Sequence, residues 1–363
     1  MGLLKIKNNQ RYVFIDVLKG IGAVAVVMGH CWLWAIPYVY DFHLALFFLI
    51  AGYLYNEKKY ENNPFLDLGH KIERMWPKYV FYLCILTVFH NDMTDFGVYD
   101  VVDYYSYTRM VDSVFSSFIF INKAGGMAGA LWFVSTLVVS IGFFSGAIWM
   151  SKKIYIVLEK HIKVKKQVIL LMVIAATGAL GVLICVNGIQ TTYHMEVALA
   201  VLPIMLAGYW IRVKKIDVEK YLNIFGVALS CGILQYIKSN YGYIDLSASR
   251  VFSIPCLYFG SFAGIYICFY VAKIAVKWKY SMKLLAVVGK YSFDIMALQF
   301  TVFKIFDVIY GKMNGIPYEM YSRFPFAYDQ LFGVYIILGV GIPVVVGVIY
   351  EYAKTKINMY LFN

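Results

Sequence analysis

Long apolar stretches, broken by short polar and mostly basic segments, dominate this chain. The apolar runs fall at about residues 13–36, 42–56, 79–90, 131–150, 168–186, 197–211, 222–237, 251–276, 292–310 and 331–350. A helix needs roughly 20 apolar residues to cross a hydrocarbon layer. Strands of a membrane barrel would alternate every second residue over about ten positions, whereas these runs are continuous. Helices also satisfy their own backbone hydrogen bonds, as a lipid environment demands. The pattern therefore predicts an all-α, polytopic integral membrane helix bundle with about ten transmembrane helices. The second and third runs are the shortest.

Composition agrees. Of 363 residues, 61% are hydrophobic and 15% charged, and mean hydropathy is +0.67. Soluble domains carry roughly 25% charged residues and cannot hide so much apolar surface in one core. Disordered, collagenous and coiled-coil classes are excluded, and nucleic acid is not an expected partner. The net charge of +12 instead reflects basic residues between the runs. With the N-terminus inside, 25 of the 33 Lys and Arg residues fall in inner segments, six fall in outer ones, and Lys19 and Lys304 lie within helices. By the positive-inside rule both termini are expected in the cytoplasm, as an even number of crossings requires. The first run is not expected to be a cleaved leader, because it contains Asp16 and Lys19 and lacks a small-residue cleavage site. Six cysteines stand singly, with no metal-ligand spacing, so neither a metal site nor a disulfide framework is expected. One membrane domain over residues 1–363 is the economical expectation. The longest outer connection, about residues 91–130, contains Asp92, Asp95, Asp100, Asp103 and Asp112. Two readings apply to it: a cover over a site, or a solvated aromatic loop.

The first apolar run carries the ionisable residues. Asp16 and Lys19 lie three apart and can pair along a helix. His30 follows eleven residues after Lys19, within about 20° of the same direction and ~16 Å further on. Gly20, Gly22 and Gly29 permit close neighbours. Charged groups in a bilayer face a bundle interior or wet cavity. His43 opens the second run, so His30 and His43 are both expected in the outer half. His90 and His194 also fall near outer helix ends, with Glu196 just behind His194. Imidazole is the usual proton-transfer group near neutral pH, although a hydrogen-bonded helix end is the plainer role for His90 and an open alternative for His194.

Lys19, ten intervening residues and His30 resemble the Arg/Lys-x10-His signature of the membrane acyltransferase-3 proteins. The wording IDVLKGIGAVAVVMGH is most similar to their fucose 4-O-acetylase-like branch. Phe42-His43 with Phe47-Phe48 and Gly52-Tyr53 resembles that branch's second motif. KIERMWPKY, with Arg74 and Pro77, resembles its basic inner loop. Leu131-Trp132-Phe133 resembles its LWF motif, and GKYSFDIMALQF from Gly289 its late segment. Two positions depart: Ala51 stands where the branch commonly has serine, and Gln299 where it has histidine.

The resemblance implies transfer of an acetyl or similar acyl group to a sugar hydroxyl of a surface or exported glycan. The donor would be cytoplasmic acyl-CoA, with acetyl-CoA as co-substrate and no bound cofactor or metal. Lys19 and Arg74 would hold the donor's phosphates. His30 would take the hydroxyl proton, with His43 supporting or exchanging roles with it. An acyl-histidine intermediate would give ping-pong kinetics. Trp132 could stack on a sugar or serve as an interfacial belt residue, Asp16 and Glu196 would support, and Gln299 would contact substrate without shuttling protons. Cys31, about 100° away from His30 on a helix, is expected to pack. The implied home is a bacterial plasma membrane. The rival class is a transporter or flippase for a lipid-linked sugar or small solute, using Asp16, Lys19, Lys304 and Asp307 as coupling charges. No second copy of the first-helix pattern supports the repeats such proteins use.

Overall fold

A computed structural model describes residues 8–57, 63, 65–99, 103–161, 163–322 and 328–361. Lys5, Lys7, Lys58, Lys59, Asp100 and Arg323, which entered the charge count and the acidic connection, lie outside the described residues. The described residues are 81% helix, with no strand among them. In order the helices are α1 (Asn8–Cys31), α2 (Ile36–Val39), α3 (His43–Leu54), α4 (Phe65–Val88), α5 (His90–Phe96) and α6 (Tyr107–Phe118). Next come α7 (Trp132–Leu158), α8 (Lys166–Val186), α9 (Met195–Ala200), α10 (Leu202–Val213) and α11 (Ile224–Tyr241). The last are α12 (Ile254–Ala275), α13 (Lys279–Lys290), α14 (Ser292–Met313), α15 (Tyr318–Tyr321) and α16 (Phe332–Leu361).

Every apolar run coincides with helix. Among the described residues, six segments are long and apolar enough to cross a membrane: Val13–Cys31, Ile36–Leu54, Gly126–Leu158, Lys166–Val186, Ile254–Ala275 and Asp329–Lys356. A seventh arises if Thr192–Ala200 and Leu202–Val213, bent by 55°, count as one span. α4 and α14 fall short because they carry too many charges, α14 through Asp294, Lys304, Asp307 and Lys312. The segment with Arg74 and Pro77, expected in an inner loop, is instead the first half of α4. Its polar residues extend the short third run at helical spacing rather than breaking it. The connection at 91–130 is likewise not a plain loop. It contains α5 and α6, the latter capped where the Ser106 side chain accepts the Arg109 N–H at 3.3 Å.

The chain divides into two compact units. The described residues of the first lie within 40–79 and 132–270. Here α3 and α10 meet backbone to backbone. A Cβ added at Gly52 would lie 1.9 Å from the Met205 carbonyl oxygen, and one at Gly208 2.0 Å from that of Leu49. Gly208→Ala therefore forces the helices apart, and a loss of about 1–3 kcal/mol is expected, on the scale of core overpacking. The measurement is a lower melting temperature in detergent; an unchanged value would contradict the close contact. Beyond the end of α3, Glu57 accepts hydrogen bonds from Tyr209, Lys152 (3.1 Å) and Lys166 (2.9 Å). Burial pushes its carboxyl up, but the hydrogen bonds from Tyr209, Lys166 and Lys152 outweigh it and bring the pKa down to about 2. Arg212 donates to the carbonyls of Leu54 and Tyr55 at 3.0 and 2.9 Å, satisfying groups the helix end leaves open.

The described residues of the second unit lie within 8–39, 80–131 and 271–361. α1 packs against α13, α14 and α16. Leu18, Val27, Phe303 and Tyr335 are fully buried in it. Gly20 and Gly289 bring α1 and α13 together: added Cβ atoms would stand 2.1 Å from the Leu285 oxygen and 1.8 Å from the Asp16 oxygen.

Candidate active site

In the second unit, the spacing of Asp16 and Lys19 produces the expected pair, with Nζ 3.2 Å from Oδ1. Both side chains are about one third exposed, which keeps the cation available to an anionic ligand. At the last turn of α1, His30 Nδ1 lies 3.2 Å from Gln299 Oε1 on α14. The Phe300 ring stands edge-on at 4.6 Å. A carbonyl oxygen only accepts, so Nδ1 carries the hydrogen and Nε2 keeps the lone pair a base requires. Gln299 is fully buried, and its Nε2 is without a partner among the described residues. An unpaired buried donor is costly and uncommon. Gln299 thus touches the imidazole itself, a contact the sequence did not foretell. Cys31 is buried, its thiol 3.9 Å from the Phe332 carbonyl oxygen, in keeping with a packing role.

In the first unit, His43 opens α3 almost fully buried, its ring 4.9 Å from that of Tyr40. Trp132 begins α7 half-buried, and its indole lies 4.8 Å from the His194 ring at 61°. Glu196, 1% exposed, accepts from His194 Nδ1 at 3.1 Å. It also accepts from Ser249 Oγ at 2.6 Å, and from Thr191 N and Oγ1 at 3.0 and 2.6 Å. The structure thereby links Trp132 and Glu196 through His194. Arg74 is exposed on α4 and pairs with no other candidate residue among those described.

His90 has the plainer role. Its Nε2 donates to the Asp103 carbonyl at 2.8 Å, and the ring stacks on Tyr105 at 3.5 Å. Lys304 and Asp307 pair at 3.3 Å; the ammonium also donates to the Tyr321 carbonyl at 2.6 Å, and Tyr335 donates to Asp307. Both are essentially fully buried, a locked arrangement that speaks against mobile coupling charges. Sequence reasoning missed Asp294, which accepts a 2.5 Å hydrogen bond from Tyr82. Its place three residues into a helix, after an apolar run, was the available signal.

The sequence pattern of the acyltransferase 3 family, described as an acyltransferase domain, matches residues 12–352. No curated protein and no solved structure matches the chain.

Proposed function

This chain belongs to the acyltransferase 3 family, and we propose that it is an O-acetyltransferase of the fucose 4-O-acetylase-like branch, moving an acetyl or similar acyl group from acyl-CoA to a hydroxyl of a surface glycan. It is a multi-pass membrane protein and an acyltransferase for groups other than aminoacyl groups. The reading has ten crossings and both termini in the cytoplasm of a bacterial cell, supported by the distribution of Lys and Arg. The acceptor is an exopolysaccharide, a capsular glycan or a lipid-linked precursor of one.

The observation that carries the reading is the His30 imidazole, held by Gln299 with Nε2 as acceptor on the same helix as the Lys19 cation. On the family resemblance, Lys19 in the second unit is the charge partner of the acyl-CoA phosphates, and Arg74 in the first unit is assigned the same kind of role. His30 Nε2 takes the proton of the sugar hydroxyl as its oxygen attacks the thioester carbonyl. The tetrahedral intermediate then collapses, the carbon–sulfur bond breaks, and the imidazolium returns the proton to the departing thiolate. His43 supports from the start of α3, and Trp132 offers its indole to the sugar.

The test is mass spectrometry of surface polysaccharide from cells with and without the gene. An acyl mass increment that disappears with the gene is expected. Identical spectra, together with accumulation of an unmodified solute in vesicles bearing the protein, would favour transport instead.

A further inference from the structure

We propose that Trp132, His194 and Glu196 form a carbohydrate subsite, in which His194 Nε2 receives a hydrogen bond from an acceptor hydroxyl and the indole stacks on the sugar ring. This rests on the reading above that the acceptor is a glycan.

The argument begins with the carboxylate. Glu196 is buried, and both of its oxygens are engaged. It can only accept, so His194 Nδ1 carries the hydrogen. In the neutral imidazole Nε2 is then left as an acceptor, on a side chain that stays 21% exposed. A histidine that merely began a helix would not need a buried carboxylate to set its tautomer.

The backbone points the same way. Tyr193 and His194 are consecutive residues at φ 60° and 50°, and Ser249, which donates to Glu196, is at 51°. Side chains other than glycine rarely adopt this conformation, and it persists only where the surroundings enforce it. Here Thr136 Oγ1 donates to the Tyr193 carbonyl at 3.2 Å, and His194 N donates to the Thr191 carbonyl at 3.1 Å. Three strained residues and their braces thus serve to aim one imidazole beside one indole.

The chemistry selects the ligand class. Nε2 asks for a donor, the indole face for C–H groups, and the carboxylate behind the ring repels anions. A neutral, hydroxyl-rich ring meets all three conditions.

The experiment uses the full-length protein in detergent micelles with a panel of methyl glycosides of hexoses, 6-deoxyhexoses and N-acetylhexosamines. Saturation-transfer NMR is expected to label the ring protons of at least one glycoside. Trp132→Ala and His194→Ala should each weaken that binding about tenfold or more, the scale of one lost hydrogen bond or stacking contact in a desolvated site. His194→Gln, which keeps an acceptor oxygen, should retain part of it. Should His194→Ala fail to give folded protein, Trp132→Ala and His194→Gln, checked by melting temperature, carry the comparison. Binding of no glycoside by the wild-type protein overturns the proposal, as does unchanged binding by the folded variants. Acyl transfer from acetyl-CoA, assayed in parallel, separates the two readings. Glycoside binding that depends on His194 without any acyl transfer leaves the subsite standing and removes the enzyme reading. Acyl transfer with an unaltered KM for glycan in His194→Gln and Trp132→Ala does the reverse.

Discussion

Replacement of His30 by alanine is expected to lower acyl transfer by about 10²–10⁴-fold, the usual worth of a positioned general base. Membrane insertion and purification behaviour should be unchanged, because His30 lies at the last turn of α1 and is only half-buried. Gln299→Leu supplies a finer comparison. It keeps the ring but removes the oxygen that accepts from Nδ1, so the imidazole no longer favours the tautomer with Nε2 as base. The kcat should fall while the KM for acyl-CoA stays near that of the wild type. Normal acylation by His30→Ala would end the assignment of the base, and the histidine opening α3 would become the one to examine.

The largest effect on folding is expected at Lys304. Lys304→Met leaves the Asp307 carboxylate buried with one of its partners gone. Removing one member of a buried ion pair costs about 3–5 kcal/mol, because the remaining charge is stranded. The variant should therefore yield little monodisperse protein and melt far below the wild type. Lys304→Met combined with Asp307→Leu removes both charges and should recover most of the loss. A single variant as stable as the wild type would show that the pair has no structural role and would reopen the transporter reading. The two partners are three residues apart on a helix, and Tyr321 and Tyr335 complete their hydrogen bonding.

The helices were legible because lipid imposes a simple rule: an apolar run must satisfy its own backbone. Each run from 13–36 to 331–350 is helical for that reason. The Asp16–Lys19 pair was legible too, since three residues of spacing bring neighbours together on any helix. What escaped were features set by distant segments. The polar half of α4 reads as a loop when only hydropathy is considered, yet its residues propagate a helix. Gln299 is 269 positions from His30, and nothing local to either announces that they touch. The arrangement around Glu196 also draws on Ser249, from a segment 53 residues later. The two-residue separation of His194 and Glu196 hinted at a pair. The left-handed backbone that aims the ring had little signal: histidine adopts it more readily than most residues, but tyrosine does not.

The glycine contact between α1 and α13 has a mechanical consequence. With no side chain between the two backbones, their register admits no slippage: a shift of one position would drive Lys19 or Ile21 into Leu285, or Val288 or Lys290 into the first helix. The two segments must then travel as a coupled strut, and whatever opens to admit substrate has to pivot elsewhere in the unit.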